Sequence, residues 1–124
     1  MDRKFILTSL GYAIVGMVLG IVMAASKNHG QHVTHAHIML AGSVVSFMYG
    51  LCHKLWLNNT ESKLAKIQFY MHQFGVAFLS LGLFLLYGQY AAEATIEPVL
   101  SISSLLVLGG MILMKVLFIK NTKS

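Results

Sequence analysis

Four long apolar stretches, each almost free of charged side chains, constrain this chain more than any other feature. They cover residues 5–25, 36–57, 67–88 and 98–119. A helix needs about 20 predominantly apolar residues to cross the roughly 30 Å hydrocarbon core of a bilayer. The stretches are about twice as long as a barrel strand and lack its alternation of apolar and polar residues. The sequence therefore predicts an all-α integral membrane four-helix bundle in which residues 1–124 form a single domain.

Charged side chains are also too scarce for a water-soluble protein. Of the 124 residues, 10% are charged and 56% are hydrophobic, whereas a typical soluble domain carries about 25% charged residues. This scarcity excludes soluble enzymes and disordered linkers. The net charge of +5 does not predict a nucleic-acid partner, because the basic residues lie between apolar stretches and do not cluster on a solvated face. The single cysteine, Cys52, excludes an intramolecular disulfide.

The basic residues predict how the bundle is oriented. Lys and Arg near the ends of spans are retained on the cytoplasmic side of a membrane. Eight of them fall on one side of the predicted bundle: Arg3, Lys4, Lys54, Lys63, Lys66, Lys115, Lys120 and Lys123. The other side has Lys27, together with Glu93 and Glu97. We therefore expect both termini in the cytoplasm and the connections 26–34 and 89–97 outside.

Two features concern the ends of the predicted spans. The first span resembles a cleaved signal peptide, with Arg3 and Lys4 as its basic region and small residues at 24–26. Its apolar core of about 20 residues exceeds the usual 7–15, so a retained helix is favoured. At the fourth span, Pro98 is expected in the first helical turn, where its missing backbone N–H costs nothing.

Histidines are the strongest departure from a generic membrane bundle. There are six, of which four lie close together in the sequence: His29, His32, His35 and His37. Imidazole binds haem iron, copper and zinc, because its neutral nitrogen offers a lone pair without bringing a charge into a low dielectric. His29 and His32 precede the second span, and a solvated loop in contact with headgroups is the favoured interpretation for them.

His35 and His37 open the second span. Residues two apart on a helix point about 200° from each other, so the pair is not expected to chelate one metal, and each should serve a different neighbour. The stripe that follows His35 is small and polar and should face the protein interior. It comprises Met39, Gly42, Ser46, Tyr49 and His53, whereas His37 leads to Ala41, Val44, Met48 and Cys52.

His72 lies inside the third span, where an ionisable residue is a functional candidate. A neutral histidine bonded to a neighbouring helix is the structural alternative. The helical rise places His72 level with Tyr49 and about 18 Å from His37, too far for both to hold one iron within a protomer. Axial ligands of one haem are thus expected from His35 or His37 of different protomers. His72 then has a separate role: packing, contact with a propionate or quinone, or a site shared with His53.

The sequence resembles a known group of proteins at three places. These are His-Ala-His-Ile-Met-Leu-Ala-Gly at residues 35–42, Phe-Tyr-Met-His-Gln-Phe-Gly at residues 69–75, and Glu97-Pro98 before a Leu- and Gly-rich last helix. They resemble small four-span bacterial membrane proteins related to subunit I of the haem-copper oxidases. Such relatives often carry a further histidine where Gln68 stands.

The resemblance implies an arrangement of copies. The oxidase subunit has twelve helices in three arcs of four, with metal-binding histidines near the outer face and a His-x-His whose imidazoles serve different haems. A homotrimer of this chain would reproduce the three arcs, with His35 and His37 of neighbouring protomers lining the shared interior. The chain lacks the adjacent histidine pair and the His-x-x-x-Tyr pattern of the oxygen-reducing site, so oxidase activity is not expected without partners.

Three hypotheses follow. The first is a homo-oligomeric haem b protein of the bacterial inner membrane, with a role in electron transfer, haem handling or gas sensing, in association with respiratory-chain components. Its candidate cofactor residues are His35, His37, His72, Met39 and Tyr49. The second is a copper-binding or transport module, in which His29, His32, His35, His37 and Met39 gather the ion at the outer surface. His53, at the other end of the second span, is a separate and weaker candidate metal ligand. The third is an accessory or scaffold subunit that uses Gly16-x-x-x-Gly20 for close helix contact.

Overall fold

The computed structural model describes residues 2–58 and 62–122 and contains four long helices. They are α1 (Asp2–Ser26), α2 (His32–Leu55), α3 (Lys63–Tyr87) and α4 (Glu93–Asn121). Over these residues the only extended pairing is an isolated antiparallel bridge between Leu57 and Thr122. Each helix is long and apolar enough to cross a membrane. The predicted all-α, four-helix membrane architecture is therefore confirmed.

The helices begin earlier than the predicted spans, because hydropathy marks the apolar segment while helical hydrogen bonding continues into polar residues at its ends. This difference corrects the position of Pro98, which lies in the second turn of α4 and not in the first. The helix is capped at Ala92, whose carbonyl accepts from the backbone N–H groups of Thr95 and Ile96 at 3.0 and 3.2 Å. Pro98 therefore removes an interior hydrogen bond, the one that the Ala94 carbonyl would otherwise accept.

The bundle consists of two antiparallel hairpins, α1 with α2 and α3 with α4, and small residues bring their axes together. A Cβ on Gly42 of α2 would lie 2.6 Å from the ring of Tyr12, and one on Gly75 of α3 would lie 2.9 Å from Val107 of α4. Such spacings leave no room for a larger residue, as is typical of helices packed in membranes.

The Gly16-x-x-x-Gly20 motif makes its close contact inside the chain. A Cβ on Gly16 would lie 3.0 Å from Cγ of Met39, and one on Gly20 would lie 3.2 Å from the His35 ring. The motif therefore packs α1 against α2 of the same chain. This contact does not require a second protomer. Gly11, by contrast, has nothing within 4 Å of the position of its Cβ.

Helix α2 is irregular, because Ile38–Val44 forms a π-helical segment. The hydrogen bonds of a π-helix span five residues, so its turn is wider than that of an α-helix. Buried positions accordingly recur every fourth residue at the start of α2: Thr34, Ile38, Gly42 and Ser46. The predicted interior stripe is correct from Gly42 to His53, but above it His35 and Met39 are only half-buried. The wider turn rotates Thr34 and Ile38 into the interior in their place.

Asp2 and Thr122, the first and last residues that the structure describes, lie at one end of the bundle, which we call the terminal end. The connections 27–31 and 88–92 lie at the distal end. At the terminal end the N–H of Asn58 donates to the Asn121 carbonyl over 2.9 Å. The core there is formed by Phe5, Tyr49, Leu57, Ala65, Phe69, Met114 and Leu117. Seven of the eight basic residues that predict orientation belong to the described part of the chain, and Lys123 lies outside it.

Candidate functional site: the histidines of the bundle

The six histidines occupy three separate places. His29 and His32 are exposed at the distal connection, His35 and His37 are half-buried at the start of α2, and His53 and His72 are buried in the terminal half. Within residues 2–58 and 62–122, no three His, Cys, Asp or Glu side chains stand close enough together to hold a metal ion.

His35 is turned towards α1. Its Nδ1 lies 2.8 Å from the Gly16 carbonyl oxygen, and the ring packs over Gly20. A carbonyl oxygen only accepts hydrogen bonds, so Nδ1 carries the proton and donates it. In the neutral imidazole this bond leaves the lone pair on Nε2, which is the tautomer that ligates a metal through Nε2.

His37 has the same tautomer but faces elsewhere. Its Nδ1 donates to the Val33 carbonyl of its own helix over 2.9 Å. The side of α2 that carries His37 also carries Leu40 and Val44, which are 61% and 55% exposed. Within the chain the two imidazoles therefore contact different elements, His35 helix α1 and His37 its own helix.

His72 is fully buried between helices. Its Nε2 lies 3.2 Å from Oγ of Ser46 on α2, whereas its buried Nδ1 has no hydrogen-bond partner among the described residues. The edge of the Tyr49 ring packs against it, with centroids 4.9 Å apart. The predicted shared level of His72 and Tyr49 is therefore confirmed. The contact with Ser46 matches the structural alternative, a histidine bonded to a neighbouring helix.

Two further polar groups complete a buried layer around His72. Gln68, one turn earlier on α3, donates from Nε2 to the Gly110 carbonyl of α4 over 3.1 Å. Tyr49 directs its hydroxyl to the sulfur of Met111, 3.3 Å away. We call Ser46, Tyr49, Gln68 and His72 the buried polar layer. The sequence interpretation assigned no role to Gln68, although its position four residues before His72 places both on one helical face.

Phe5 lies beside both buried histidines. The Phe5 ring stacks on His53 at a centroid distance of 5.5 Å and lies 6.5 Å from the His72 ring. The two histidines therefore share an aromatic neighbour. Met39 is remote from the buried polar layer, because it packs against Gly16 of α1.

The distal end holds a cleft of about 480 Å³ that the sequence interpretation missed. Residues from the end of α1, both distal connections and the end of α3 line it, and none of the six histidines does. Lys27 and Gln89, in the two connections, have φ angles of 58° and 61°, a region that few residues other than glycine adopt. No protein family, curated protein or solved structure was found to match this chain.

Proposed function

We propose that this multi-pass membrane protein binds haem b through the imidazoles at the start of α2. One observation carries the proposal: His35 and His37 each donate from Nδ1 to a backbone carbonyl, at 2.8 and 2.9 Å. Each bond presents the Nε2 lone pair and fixes the ring orientation, as outer-shell partners do for histidines that bind metals. Neither histidine has a salt-bridge or side-chain role that would compete with this one.

The positions of His35 and His37 favour different roles in a haem site. His35 is partly enclosed by Gly16 and Gly20 of α1, whereas His37 stands on the face of α2 that carries exposed Leu40 and Val44. A polar imidazole on an apolar membrane face is costly unless it has a partner. A haem shared with a second copy would cover that face and supply the partner. We therefore assign His37 as the ligand between copies and His35 as the ligand directed towards α1.

The donor set fits a haem that takes one axial imidazole from each of two chains. His72 is committed to Ser46 and is enclosed by Tyr49 and Phe5, so it does not reach a haem bound at the start of α2. Two axial imidazoles then need two chains, for which a trimer is the arrangement that the oxidase resemblance favours. Bound haem would supply one-electron transfer when six-coordinate, or gas binding when one position is open.

The charge distribution supports an orientation for this protein. Arg3, Lys4, Lys54, Lys63 and Lys66 lie at or beside the terminal end of helices α1, α2 and α3. The distal end carries Lys27 in its first connection and Glu93 in the first turn of α4. By the retention of basic residues on the cytoplasmic side, we propose that both termini are cytoplasmic and that the histidine-bearing end of α2 faces outwards from the bacterial inner membrane.

The test is the visible spectrum of protein purified in mild detergent from a haem-sufficient host. We expect a Soret band in the wild type, its loss in His37→Leu, and its retention in the matched control His32→Ala. Leucine suits an apolar face, and His37 bonds only to its own helix, so His37→Leu should fold. Absence of a Soret band in the wild type, with haem titration also blank, would overturn the proposal.

Two measurements on the same samples refine the result. A shift of the reduced spectrum with carbon monoxide indicates an open coordination position, and an unchanged spectrum indicates two axial histidines. Copper retained by the wild type in elemental analysis, without haem and lost in His32→Ala, would favour the copper-binding module instead. Sedimentation of wild type and His37→Leu shows whether the oligomer depends on the shared haem.

A further inference from the structure

A cleft and an adjoining groove lie between α1 and α3, and no histidine lines either of them. The polar part is the distal cleft, of about 480 Å³. The polar side chains in its wall are neutral and are contributed by Ser26, Asn28, Gln31, Tyr87, Gln89 and Tyr90. Phe84 and Tyr90 stack at its side, with ring centroids 5.7 Å apart. The cleft thus offers amide and phenol groups beside aromatic faces.

Next to this cleft runs an apolar groove of about 380 Å³. Its wall consists of Val15, Val18 and Leu19 from α1, Thr34 and Ile38 from α2, and Ser80, Leu81 and Phe84 from α3. Thr34 turns its hydroxyl away to Gln31, at 2.7 Å. The groove therefore offers an almost entirely apolar wall at the level of the membrane spans.

The cleft and the groove meet along the same line of the bundle. Phe84 lines both cavities. Elsewhere their lining residues are about one helical turn apart: on α1, Val22 lines the cleft and Leu19 the groove, and likewise Gln31 lines the cleft and Thr34 the groove.

The gap between α1 and α3 narrows towards the terminal end. There Gln73 donates to Thr8 over 3.2 Å, and Tyr12 donates to the Gln73 carbonyl over 3.4 Å. A smaller cavity of about 270 Å³ continues beside these bonds, lined by Thr8, Gly11, Tyr12, Val15 and Gln73. The distal part of the gap therefore has a polar mouth and an apolar interior.

We propose that this gap binds an uncharged amphiphile with a hydrogen-bonding ring as its head and an apolar chain as its tail, the chemical class of the isoprenoid quinones. The head would lie in the distal cleft, stacked among Phe84, Tyr87 and Tyr90, and the tail would lie in the groove against Val18. Pockets of a few hundred Å³ with apolar walls and a few polar groups are typical ligand sites. The site is independent of the haem proposal, because no histidine lines either part.

The absence of charge in the wall distinguishes this ligand from a phospholipid. None of the residues that line the cleft or the groove carries a charged side chain. Phosphate is normally bound by Arg or Lys side chains, and a headgroup phosphate buried here would have no counter-charge. A carbonyl or hydroxyl on a neutral ring needs only the amide and phenol donors that the cleft supplies.

The test is photolabelling in phosphatidylcholine nanodiscs with an azido-benzoquinone that carries a decyl chain, with adducts mapped by mass spectrometry. We expect adducts concentrated on the cleft and groove residues and removed by excess unlabelled decyl-benzoquinone. Val18→Phe should fill the groove and reduce labelling about ten-fold, the effect of one lost, well-packed contact. Val18 is 54% exposed, so its replacement leaves the helix contacts in place.

Matched variants separate the site from general effects. Ile21→Phe adds the same ring at a 67% exposed position of α1 outside the site and should label like the wild type. Tyr90→Leu should weaken labelling, whereas Tyr70→Leu, in the terminal half of α3, should not. Adducts spread evenly over lipid-facing residues, or equal labelling in Val18→Phe and Ile21→Phe, would overturn the proposal. Equal competition by phosphatidylglycerol would assign the gap to phospholipid and would also overturn it.

Discussion

In the terminal half of the bundle, Phe5 packs edge-on against Phe69 and Tyr49, at centroid distances of 4.8 and 5.4 Å, and the buried polar layer bonds one helix to another. In the distal half, α1 and α3 stand apart around a cleft and a groove, and the imidazoles bond to backbone carbonyls. Fully buried side chains that bond from one helix to another fix the packing. The half-buried His35 and His37, whose Nδ1 atoms bond to backbone carbonyls, keep Nε2 available to a ligand.

The two sets of histidines should consequently separate stability from ligand binding. Buried polar groups in a membrane protein lose their partners when one side chain is removed, at a cost of about 1–3 kcal/mol per unsatisfied group. Haem binding, by contrast, depends on the histidine whose Nε2 ligates the iron. The contrast between the two halves can be tested by substituting the histidines of one half at a time. The expected effects range from loss of the haem to a small change in the free energy of unfolding.

The largest expected effect is on haem content. His37→Leu should reduce the haem bound per folded protein about ten-fold or more, since ligands and their outer-shell partners carry this much affinity. His72→Leu should keep the Soret band per folded protein but lower the resistance to unfolding in SDS. Both quantities are measured on the same preparations. Loss of haem in His72→Leu with full haem in His37→Leu would reverse the assignment of the two halves.

The next effect concerns helix packing. Gly75→Ala places a Cβ 2.9 Å from Val107 Cγ2 and 3.0 Å from the Val107 backbone nitrogen, and the backbone atom cannot move aside. Overpacking of this kind costs about 1–3 kcal/mol. The matched change Gly11→Ala meets nothing within 4 Å and should stabilise the helix by up to about 1 kcal/mol. The free energies of unfolding should thus change in opposite directions, and equal changes would contradict the packing of α3 on α4.

A smaller effect is expected in the buried polar layer. Ser46→Ala removes the group that bonds Nε2 of His72 at 3.2 Å. It should destabilise the protein by about 0.6 kcal/mol, the average for hydrogen bonds between membrane helices, and by at most about 1.7 kcal/mol. Ser101→Ala, at an exposed position of α4, is the control and should have little effect. A double mutant of Ser46 and His72 would show non-additivity if the bond stabilises the fold. Additive losses would mean that the bond contributes nothing.

The sequence was sufficient for the architecture, because each helix needs only an apolar run long enough to span a membrane. It was also sufficient for the inward face of α2 from Gly42 to His53, since a 3.6-residue period identifies a face. It was insufficient for His35 and Met39, because the π-helical segment of Ile38–Val44 shifts the hydrogen bonding by one residue and leaves no compositional mark. A regular 3.6-residue period therefore predicted His35 and Met39 as interior residues, whereas Thr34 and Ile38 are the buried ones.

The distal cleft and the partners of the imidazoles could not be predicted for a different reason. The carbonyl that accepts the hydrogen bond from Nδ1 of His35 depends on how α1 packs on α2. This packing is set by contacts between residues distant in sequence, such as Gly42 and Tyr12. The cleft is formed by two connections that meet only after the helices have packed. One of its links, Gln31 to the Phe84 carbonyl at 2.9 Å, joins residues 53 apart in sequence. Local patterns carry no information about such pairs.

The smallest expected effect tests the distal connection. Gln89 has a φ of 61°, and an L-residue in this left-handed region pays about 1 kcal/mol that glycine does not. Gln89→Gly should therefore be neutral or raise the free energy of unfolding by up to about 1 kcal/mol, after the greater flexibility of glycine in the unfolded chain is subtracted. Ala94→Gly, in the first turn of α4, should lower it by a similar amount. If both glycine variants destabilise the protein equally in SDS titration, the distal connection does not hold Gln89 in the left-handed region.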